Sequence, residues 1–289
     1  MVVSQRIREA SHAGSWYTRD KAQLTTMLEQ WTAQTTPAPS RFAIGPHAGY
    51  RFCGPVLAHS YASVAEYSRS IAPIKRVVLM GPTHFKYFRG IQTTKYDAFT
   101  TPVGRSTIDP LAKQLVSELQ VNTLDSSADL REHSWEMHCP FIAHYLPDAQ
   151  LLPLLFGGGS ETETIVSSFL ADYVADPHTA FVVSSDFCHW GESFDYVPFA
   201  TAAPLIFKHI EQMDRDACEI LGTGSSQKFW KYMEQTENTI CGAKPIEWLL
   251  RLAERANVQL SFQLLAYDQS SRARTVADTS VSYASLAAH

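Results

Sequence analysis

The sequence predicts a single α/β domain with a central, mostly parallel sheet and helices on both faces. Short apolar runs alternate with segments of helical periodicity, which is the pattern of a sheet covered on both sides by helices. With 289 residues, 45% of them hydrophobic, the chain is long enough to bury a substantial core. No linker or low-complexity stretch interrupts this alternation, so we assign residues 1–289 to one domain.

The predicted strands are short apolar runs bounded by residues that favour turns. The run Gln150 to Phe156, for example, ends at three consecutive glycines, Gly157 to Gly159. The strands are expected at Phe42 to Ile44, Arg76 to Met80, Gln150 to Phe156 and Phe181 to Ser184, with closing strands at Val258 to Ala266 and Val281 to Leu286.

The predicted helices are marked by their periodicity and by residues typical of helix N-termini. Apolar residues recur at helical spacing after Asp20, and Asp109-Pro110 supplies an N-cap followed by a proline in the first turn. Ser160 and Glu163 form a capping box before another periodic segment. Further helical patterns cover about 202–220, 225–235 and 245–256.

The charge and the cysteine content exclude several classes of protein. A net charge of −5 gives no basic surface for nucleic acid, and no apolar window reaches the length of a membrane helix. The N-terminus lacks the apolar region of a secretory signal. Five scattered cysteines, an odd number, indicate reduced thiols. We therefore expect a cytoplasmic location, compatible with a nuclear pool.

Histidines follow three of the predicted strands. His47 comes three residues after Ile44, and His84 comes four residues after Met80. Asp186 and His189 follow the strand that begins at Phe181. Because the carboxyl ends of parallel strands collect ligands and catalytic groups, these side chains are expected to share one site. Each histidine alone would more often be structural, but three at equivalent strand ends favour a functional site.

Cys241 adds a sulfur atom just before the helical pattern that starts near Pro245. A helix N-terminus favours the thiolate, which is both a nucleophile and a soft metal ligand. The local pattern is equally compatible with a buried free cysteine that has no role in chemistry.

The segment from Glu132 to Cys139 contains two carboxylates and two imidazoles. His133 and His138 are five residues apart, so they cannot share a helix face as the histidines of a zinc-protease motif do. Glu132, His133, Glu136 and His138 are candidates for outer-shell or acid–base groups, and a polar helix start is the alternative. The remaining histidines, expected to be structural or exposed, are His12, His59, His144, His178 and His209.

Seven blocks of the sequence closely resemble the Memo family, in the same order. They are REASHAGSWYT (8–18), PHAGYRFCG (46–54), GPTHF (81–85), EHSWEMHCPF (132–141), VVSSDFCHWG (182–191), NTICG (238–242) and SVSY (280–283). That family looks like a branch of the class III extradiol dioxygenase superfamily, which includes LigB-like enzymes. The resemblance therefore implies a dioxygenase-like α/β fold.

The resemblance also implies a metal pocket with the ligands His47, His84 and Cys241. It implies a copper ion, with iron as the alternative, and a link to the production of oxidants. In animals it further implies recognition of phosphotyrosine segments of receptor kinases and a role in signalling.

The chemistry of this ligand set leads to a first functional hypothesis. Two imidazoles and a thiolate suit copper, iron or zinc, and three ligands leave a position open for dioxygen or a small substrate. Cys241 stands where an extradiol dioxygenase is expected to supply a carboxylate, so catechol ring cleavage is doubtful. We expect redox activity toward dioxygen, with His189 moving protons and Asp186 orienting it.

Two other functions follow from the same residues. The pocket could bind a phosphopeptide or a signalling protein, with Arg51 as a cation for the phosphate. A zinc hydrolase is the third hypothesis, and it would recruit Glu132 or Glu136 as the base. The aromatic residues that could line a peptide site, with ordinary packing as the alternative, are Trp16, Tyr17, Tyr50, Phe52, Phe85, Trp135 and Trp190.

Overall fold

Strands and helices alternate along most of the chain. The computed structural model describes residues 5–159 and 161–289, so Ser160 of the predicted capping box lies outside the described residues. The elements are β1 (Ile7–Arg8), α1 (Lys21–Ala33), β2 (Phe42–Gly45), α2 (Tyr50–Ser70), β3 (Arg76–Pro82), β4 (Ile91–Thr93), β5 (Ala98–Thr101), β6 (Gly104–Thr107), α3 (Pro110–Ser117), β7 (Asn122–Thr123), α4 (Ser126–Arg131), α5 (His133–Glu136), α6 (Cys139–Tyr145), β8 (Gln150–Phe156), α7 (Glu161–Ala175), β9 (Thr179–Ser184), β10 (His189–Trp190), α8 (Ile206–Gly222), α9 (Ser226–Thr236), α10 (Ala243–Arg255), β11 (Phe262–Gln269) and β12 (Ser280–Ala288).

The main sheet is mixed rather than mostly parallel. Its order is β10-β12-β2-β9-β3-β8-β4-β7, with β11 paired to β12. The central strands β2, β9, β3 and β8 are parallel, whereas β12 runs antiparallel to β2 and β4 antiparallel to β8. The prediction is wrong at these edges because β11 and β12 form an antiparallel pair that needs no helical crossover. A second sheet, β1-β5-β6, was not predicted.

The central strands are buried along nearly their whole length. Strands β3, β8 and β9 are apolar except at their ends, and only the first residues of β3 and β8 are partly exposed. Burial on both faces requires two layers of helices. One group, α1, α2 and α6, packs together on the sheet, and α7, α8, α9 and α10 form a second group. No helix in the described ranges is long and apolar enough to cross a bilayer.

Several predicted elements are confirmed, and two differ. Asp20 and Asp109 cap α1 and α3 through their side chains, as expected. The predicted strand Val258 to Ala266 is displaced toward the C-terminus, to Phe262–Gln269. The helix α2 was not predicted, because Gly54 and Pro55 near its start are typical of helix breaks. Gly54 is needed there, since a Cβ atom would lie 2.5 Å from the Trp31 ring of α1.

A buried ion cluster ties the N-terminal strand to α4 and α5. The Arg8 side chain is only 1% exposed, and its Nε lies 2.8 Å from Asp129 Oδ1. Its Nη1 donates to Glu136 Oε2 at 2.6 Å, and Nη2 donates to the carbonyl oxygen of Glu132 at 3.0 Å. One guanidinium therefore fixes both ends of the segment that carries His133.

We predict that Arg8→Met lowers the free energy of unfolding by about 3 kcal/mol or more, because it leaves two buried carboxylates without their cation. The matched control is Arg6→Met, two residues away, where the ion pair with Asp97 is exposed and the loss is small. Urea unfolding of both variants measures the difference. Equal effects of the two substitutions would show that the buried cluster contributes no special stability.

Candidate metal site

The predicted strand-end residues lie in one cleft. Because β2, β9 and β3 are neighbours in the sheet and parallel, their carboxyl ends share an edge. His47 follows β2, His84 follows β3, and Asp186 and His189 follow β9. All four line a cleft of about 880 Å³, so the structure brings them together as the sequence predicts.

Three imidazoles form the centre of this cleft. His47, His84 and His133 each offer one ligand atom, and these atoms all lie within 4.8 Å of one another. The ring centroids of His84 and His133 are 4.1 Å apart, and those of His47 and His84 are 5.1 Å apart. His133, expected only as an outer group, therefore belongs to the cluster that could hold a metal ion.

The His47 ring is fixed by Ser184, the last residue of β9. Ser184 Oγ donates to the carbonyl oxygen of Ser134 at 2.6 Å, so it accepts the hydrogen bond from His47 Nδ1, also 2.6 Å long. This assignment puts the proton on Nδ1 and leaves the lone pair on Nε2, the atom that lies 3.3 Å from Cys241 Sγ. The backbone N–H of His47 donates to Asp186 Oδ1 at 2.8 Å.

The His84 ring is fixed in the same way by Glu132. The carboxylate accepts from His84 Nδ1 and from the His84 backbone N–H, each at 2.8 Å. Burial alone would raise the pKa of Glu132, but the hydrogen bonds from His84 and Ser134 lower it to about 2. Glu132 is therefore a charged acceptor that orients His84 and leaves Nε2 available, as outer-shell carboxylates do at metal sites.

His133 lies between two other rings. Its ring stacks on His84 on one side, and the Trp16 ring centroid is 4.6 Å away. Among the described residues, the buried Nδ1 atom of His133 has no hydrogen-bond partner. Burial, together with the neighbouring His84, lowers the pKa of His133 to about 3. Burial likewise lowers the pKa of His47 far below its ordinary value. Both rings are therefore neutral, which is the form that binds metal.

Cys241 lies beside His47, just before α10. Its Sγ is 3.3 Å from His47 Nε2, and it accepts the backbone N–H of Asp186 at 3.3 Å. Cys241 does not belong to the three-histidine group found among the described residues. Burial and the nearby Asp186 raise the pKa of the thiol. The expected thiolate is therefore not favoured without a bound cation, because burial outweighs the helix N-terminus.

Asp186 and His189 both line the cleft, but Asp186 does not orient His189 as predicted. His189 Nδ1 donates to the carbonyl oxygens of Phe187 and Thr239, at 2.8 and 3.1 Å. The Asp186 carboxylate instead accepts the backbone N–H groups of His47 and Ala48, and its burial raises its pKa. The backbone carbonyls fix the His189 ring and leave its Nε2 free.

Two predicted outer-shell residues lie away from the three imidazoles. Glu136 is only 1% exposed and accepts hydrogen bonds from Arg8, Tyr17 and His12. Burial opposes ionisation of Glu136, but the bond from His12 and the Arg8 charge lower its pKa to about 2. His138 is fully buried, and its Nδ1 lies 2.9 Å from the Tyr61 hydroxyl. Both residues are structural supports.

Sequence reasoning missed two residues that shape the site. The first is Ser184, which fixes His47. Its position, as a polar residue at the end of an apolar strand, is the sequence signal that could have identified it. His12, expected to be structural or exposed, packs against Trp16 and lies 6.1 Å from the His133 ring. Of the aromatic candidates, Trp16, Tyr17, Tyr50 and Phe52 line the cleft, Phe85 packs near His133, and Trp135 and Trp190 are buried in the core.

The fold and the cleft define an α/β protein with a histidine-rich candidate metal site. Residues 8–287 match the sequence model of a family described as Memo-like protein. The chain is 34% identical to a MEMO1 family protein of Schizosaccharomyces pombe, over 99% of this chain and 100% of that protein. It is 37% identical to the human Protein MEMO1, over 98% of each chain. The chain belongs to the Memo family.

A solved structure offers a weaker comparison. An uncharacterized protein from Escherichia coli K12 aligns with a TM-score of 0.44 and 16% sequence identity. The alignment covers 83% of this chain and 98% of that one. The assignment to the Memo family depends on the sequence comparisons alone.

We predict that His138 makes the metal-free protein sensitive to acid. Burial lowers its pKa to about 3 in the folded state, against 6.5 in the unfolded chain. The unfolded chain therefore takes up a proton as the pH falls below 6.5, and the folded protein does not. The free energy of unfolding is therefore highest above pH 6.5 and falls by about 2 kcal/mol between pH 7 and pH 5.

The measurement is urea unfolding of the wild type and His138→Gln at both pH values. The variant should lose about 2 kcal/mol less on acidification than the wild type. His144→Gln, at a partly exposed histidine of α6, is the control and should behave as the wild type does. An unchanged pH dependence in His138→Gln would contradict the prediction.

Proposed function

We propose that this protein binds a copper or iron ion at His47 and His84 and supports redox chemistry with dioxygen. The observation that carries the proposal is the pair of imidazoles, His47 and His84, whose Nδ1 atoms are held by Ser184 and Glu132 and whose ligand atoms lie within 4.8 Å of each other and of His133. Imidazole nitrogens suit copper, iron and zinc rather than magnesium or calcium.

We propose Cys241 as the third ligand because the family resemblance implies it. We propose His133 as a further ligand because its ring lies in the same cluster. The 3.3 Å separation of Cys241 Sγ and His47 Nε2 fits two donors of one ion, given metal–ligand bonds of about 2.0–2.3 Å. The unpartnered Nδ1 of His133 supports a place for this ring in the same site. A bound cation would also offset the desolvation cost of the buried Cys241 thiolate.

The protein's own residues would supply proton transfer and exclusion of water. When bound in its reduced state, copper or iron would supply one electron to dioxygen, giving superoxide, and an external one-electron reductant would restore the ion; two superoxide ions and two protons then give peroxide and dioxygen. His189 is suited to donate or accept the proton because its Nδ1 is fixed by Phe187 and Thr239 while Nε2 is free. Trp16 covers the His133 ring and limits the access of solvent.

The proposal assigns the fold to the class III extradiol dioxygenase superfamily but not to its ring-cleaving chemistry. The family resemblance supports the assignment. Cys241 occupies the position where those enzymes are expected to carry a carboxylate ligand. All five cysteines are free, which supports the proposed cytoplasmic location.

A peptide-binding role is a second proposal, favoured by the walls of the cleft. The cleft is large, and several aromatic side chains line it. Arg51 also lines the cleft, and its guanidinium carbon lies 4.4 Å from the centre of the Phe52 ring. An aromatic cleft with one cation suits a phosphotyrosine segment of a signalling partner. The zinc-hydrolase hypothesis is less well supported, because Glu132 and Glu136 already hold His84 and Arg8.

We predict that His47→Ala and His84→Ala weaken copper binding by more than the roughly 10–100-fold that loss of an outer-shell partner costs. Titration of metal-free protein with copper, followed by Trp fluorescence, measures the affinity. Cys241→Ser should remove the thiolate-to-copper absorption band, and His133→Ala should keep the band but bind more weakly. Copper binding by His47→Ala that equals the wild type would contradict the proposal.

The control for this series is His209→Ala, at an exposed histidine of α8 that stacks on Phe199 and does not line the cleft. Its copper affinity should match the wild type. A Trp16→Phe variant should show a smaller change in fluorescence on binding, because Trp16 is the indole that contacts His133.

For the second proposal, we predict that a phosphotyrosine peptide binds and its unphosphorylated form does not. Isothermal titration calorimetry of both peptides measures this difference. Arg51→Gln should abolish the preference for the phosphorylated form, whereas Arg69→Gln, at an exposed position near the other end of α2, should preserve it. Equal or absent binding of both peptides to the wild type would remove the proposal.

A further inference from the structure

The helix α8 carries a carboxylate on its buried face. Asp214 is completely inaccessible, although an ionised group is costly to bury. Its hydrogen-bond partners in the described structure are uncharged, so no ion pair offsets that cost. Burial raises the pKa of Asp214 to about 6, although the hydrogen bonds that it accepts lower it. An apolar side chain could fill the same space without this cost, so the carboxylate is expected to serve through its hydrogen bonds.

Asp214 joins two segments that have little regular structure of their own. Oδ1 accepts the side-chain N–H of Asn238 at 3.0 Å and the backbone N–H of Cys188 at 3.3 Å. Oδ2 accepts the hydroxyl of Tyr267 in β11 at 3.0 Å. Asn238 Nδ2 also donates to Tyr232 in α9 at 2.9 Å. One carboxylate therefore connects the segment before β10 with the segment before α10.

The residues held by Asp214 directly precede two residues that are bonded to each other. His189 follows Cys188, and Thr239 follows Asn238. Thr239 Oγ1 accepts the His189 backbone N–H at 2.7 Å and donates to the His189 carbonyl at 3.0 Å. The Thr239 carbonyl accepts from the His189 ring. The orientation of His189 thus depends on how these two segments are held together.

We propose that Asp214 is the positioning residue that sets His189, and through residues 238–241 the Cys241 sulfur, against His47. It acts through Asn238 and the Cys188 backbone rather than by touching the cleft. The roles of His189 and Cys241 rest on the proposed function, but the positioning itself does not.

The carboxylate is suited to this task in a way that neutral side chains are not. An Asp carboxylate has two oxygens and accepts from all three donors, whereas an Asn has one oxygen: if that oxygen accepts from Asn238 and Cys188, the NH2 group faces the Tyr267 hydroxyl, which must then accept. Hydrogen bonds to an ionised carboxylate are also about twice as strong as those to a neutral amide, so the bonds from Asn238 and Cys188 weaken. The connection should therefore loosen in Asp214→Asn without the loss of side-chain volume.

The test uses the metal-free protein and nuclear magnetic resonance of the His189 ring. In Asp214→Asn, the His189 ring resonances should shift and broaden at temperatures well below unfolding, and the rate of Cys241 alkylation should change. Asp216→Asn, at an exposed position of the same helix, is the control and should change neither. Tyr267→Phe removes only one donor and should give a smaller shift if Asp214→Asn fails to fold.

A charge swap separates positioning from general destabilisation. Asp214→Asn combined with Asn238→Asp restores an amide-to-carboxylate bond between the two positions and should return the His189 resonances toward those of the wild type. Unchanged His189 resonances in both Asp214→Asn and Tyr267→Phe would overturn the proposal. A shifted spectrum in a protein that binds neither copper nor iron would instead uphold the positioning role and refute the proposed function.

With copper present, Asp214→Asn should bind about tenfold more weakly, as outer-shell variants do. Asp216→Asn should bind as the wild type does. A normal copper affinity together with an altered metal-free His189 spectrum would confine Asp214 to the positioning of His189 and overturn its effect on Cys241.

Discussion

The site depends on the hydrogen bonds that hold the Nδ1 atoms of His47 and His84. Ser184 accepts a hydrogen bond from His47 Nδ1 and Glu132 accepts one from His84 Nδ1, so Nε2 is the atom of each ring that is placed to bind an ion. Without these acceptors the rings could rotate or change tautomer, and no fixed donor set would exist. Two acceptors of different chemistry, a hydroxyl and a carboxylate, thus produce the same result at the ends of β2 and β3, the two strands on either side of β9.

The surrounding fold keeps these acceptors in place, and burial keeps the rings of His47 and His133 uncharged. Arg8 holds the segment from Asp129 to Glu136, which carries both Glu132 and His133. On the opposite side, Asp214 holds the segments that carry His189 and lead to Cys241. Burial lowers the pKa of His47 and His133, so these rings remain neutral near pH 7. Arg8 and Asp214, both buried outside the cleft, thus hold the segments that carry the groups inside it.

Much of the fold could be predicted because the sequence signals for its strands and helices are local. Apolar runs identified β3 and β8, and the caps at Asp20 and Asp109 identified α1 and α3. The place of His47 and His84 followed from the geometry of parallel strands. The helix α2 was missed because its Gly54 is explained only by Trp31, which is distant in sequence. His133 in the cluster and the carbonyls that orient His189 likewise depend on tertiary contacts that no spacing encodes.

The metal content of protein purified without a chelator or a metal-affinity tag tests the central claim most directly. Elemental analysis by mass spectrometry should find copper or iron in the wild type and a large loss of it in His47→Ala. X-ray absorption at the metal edge should then show nitrogen neighbours from imidazole rings, with a sulfur neighbour that disappears in Cys241→Ser. Wild-type protein that holds neither metal, and takes up neither when they are supplied, would contradict the account.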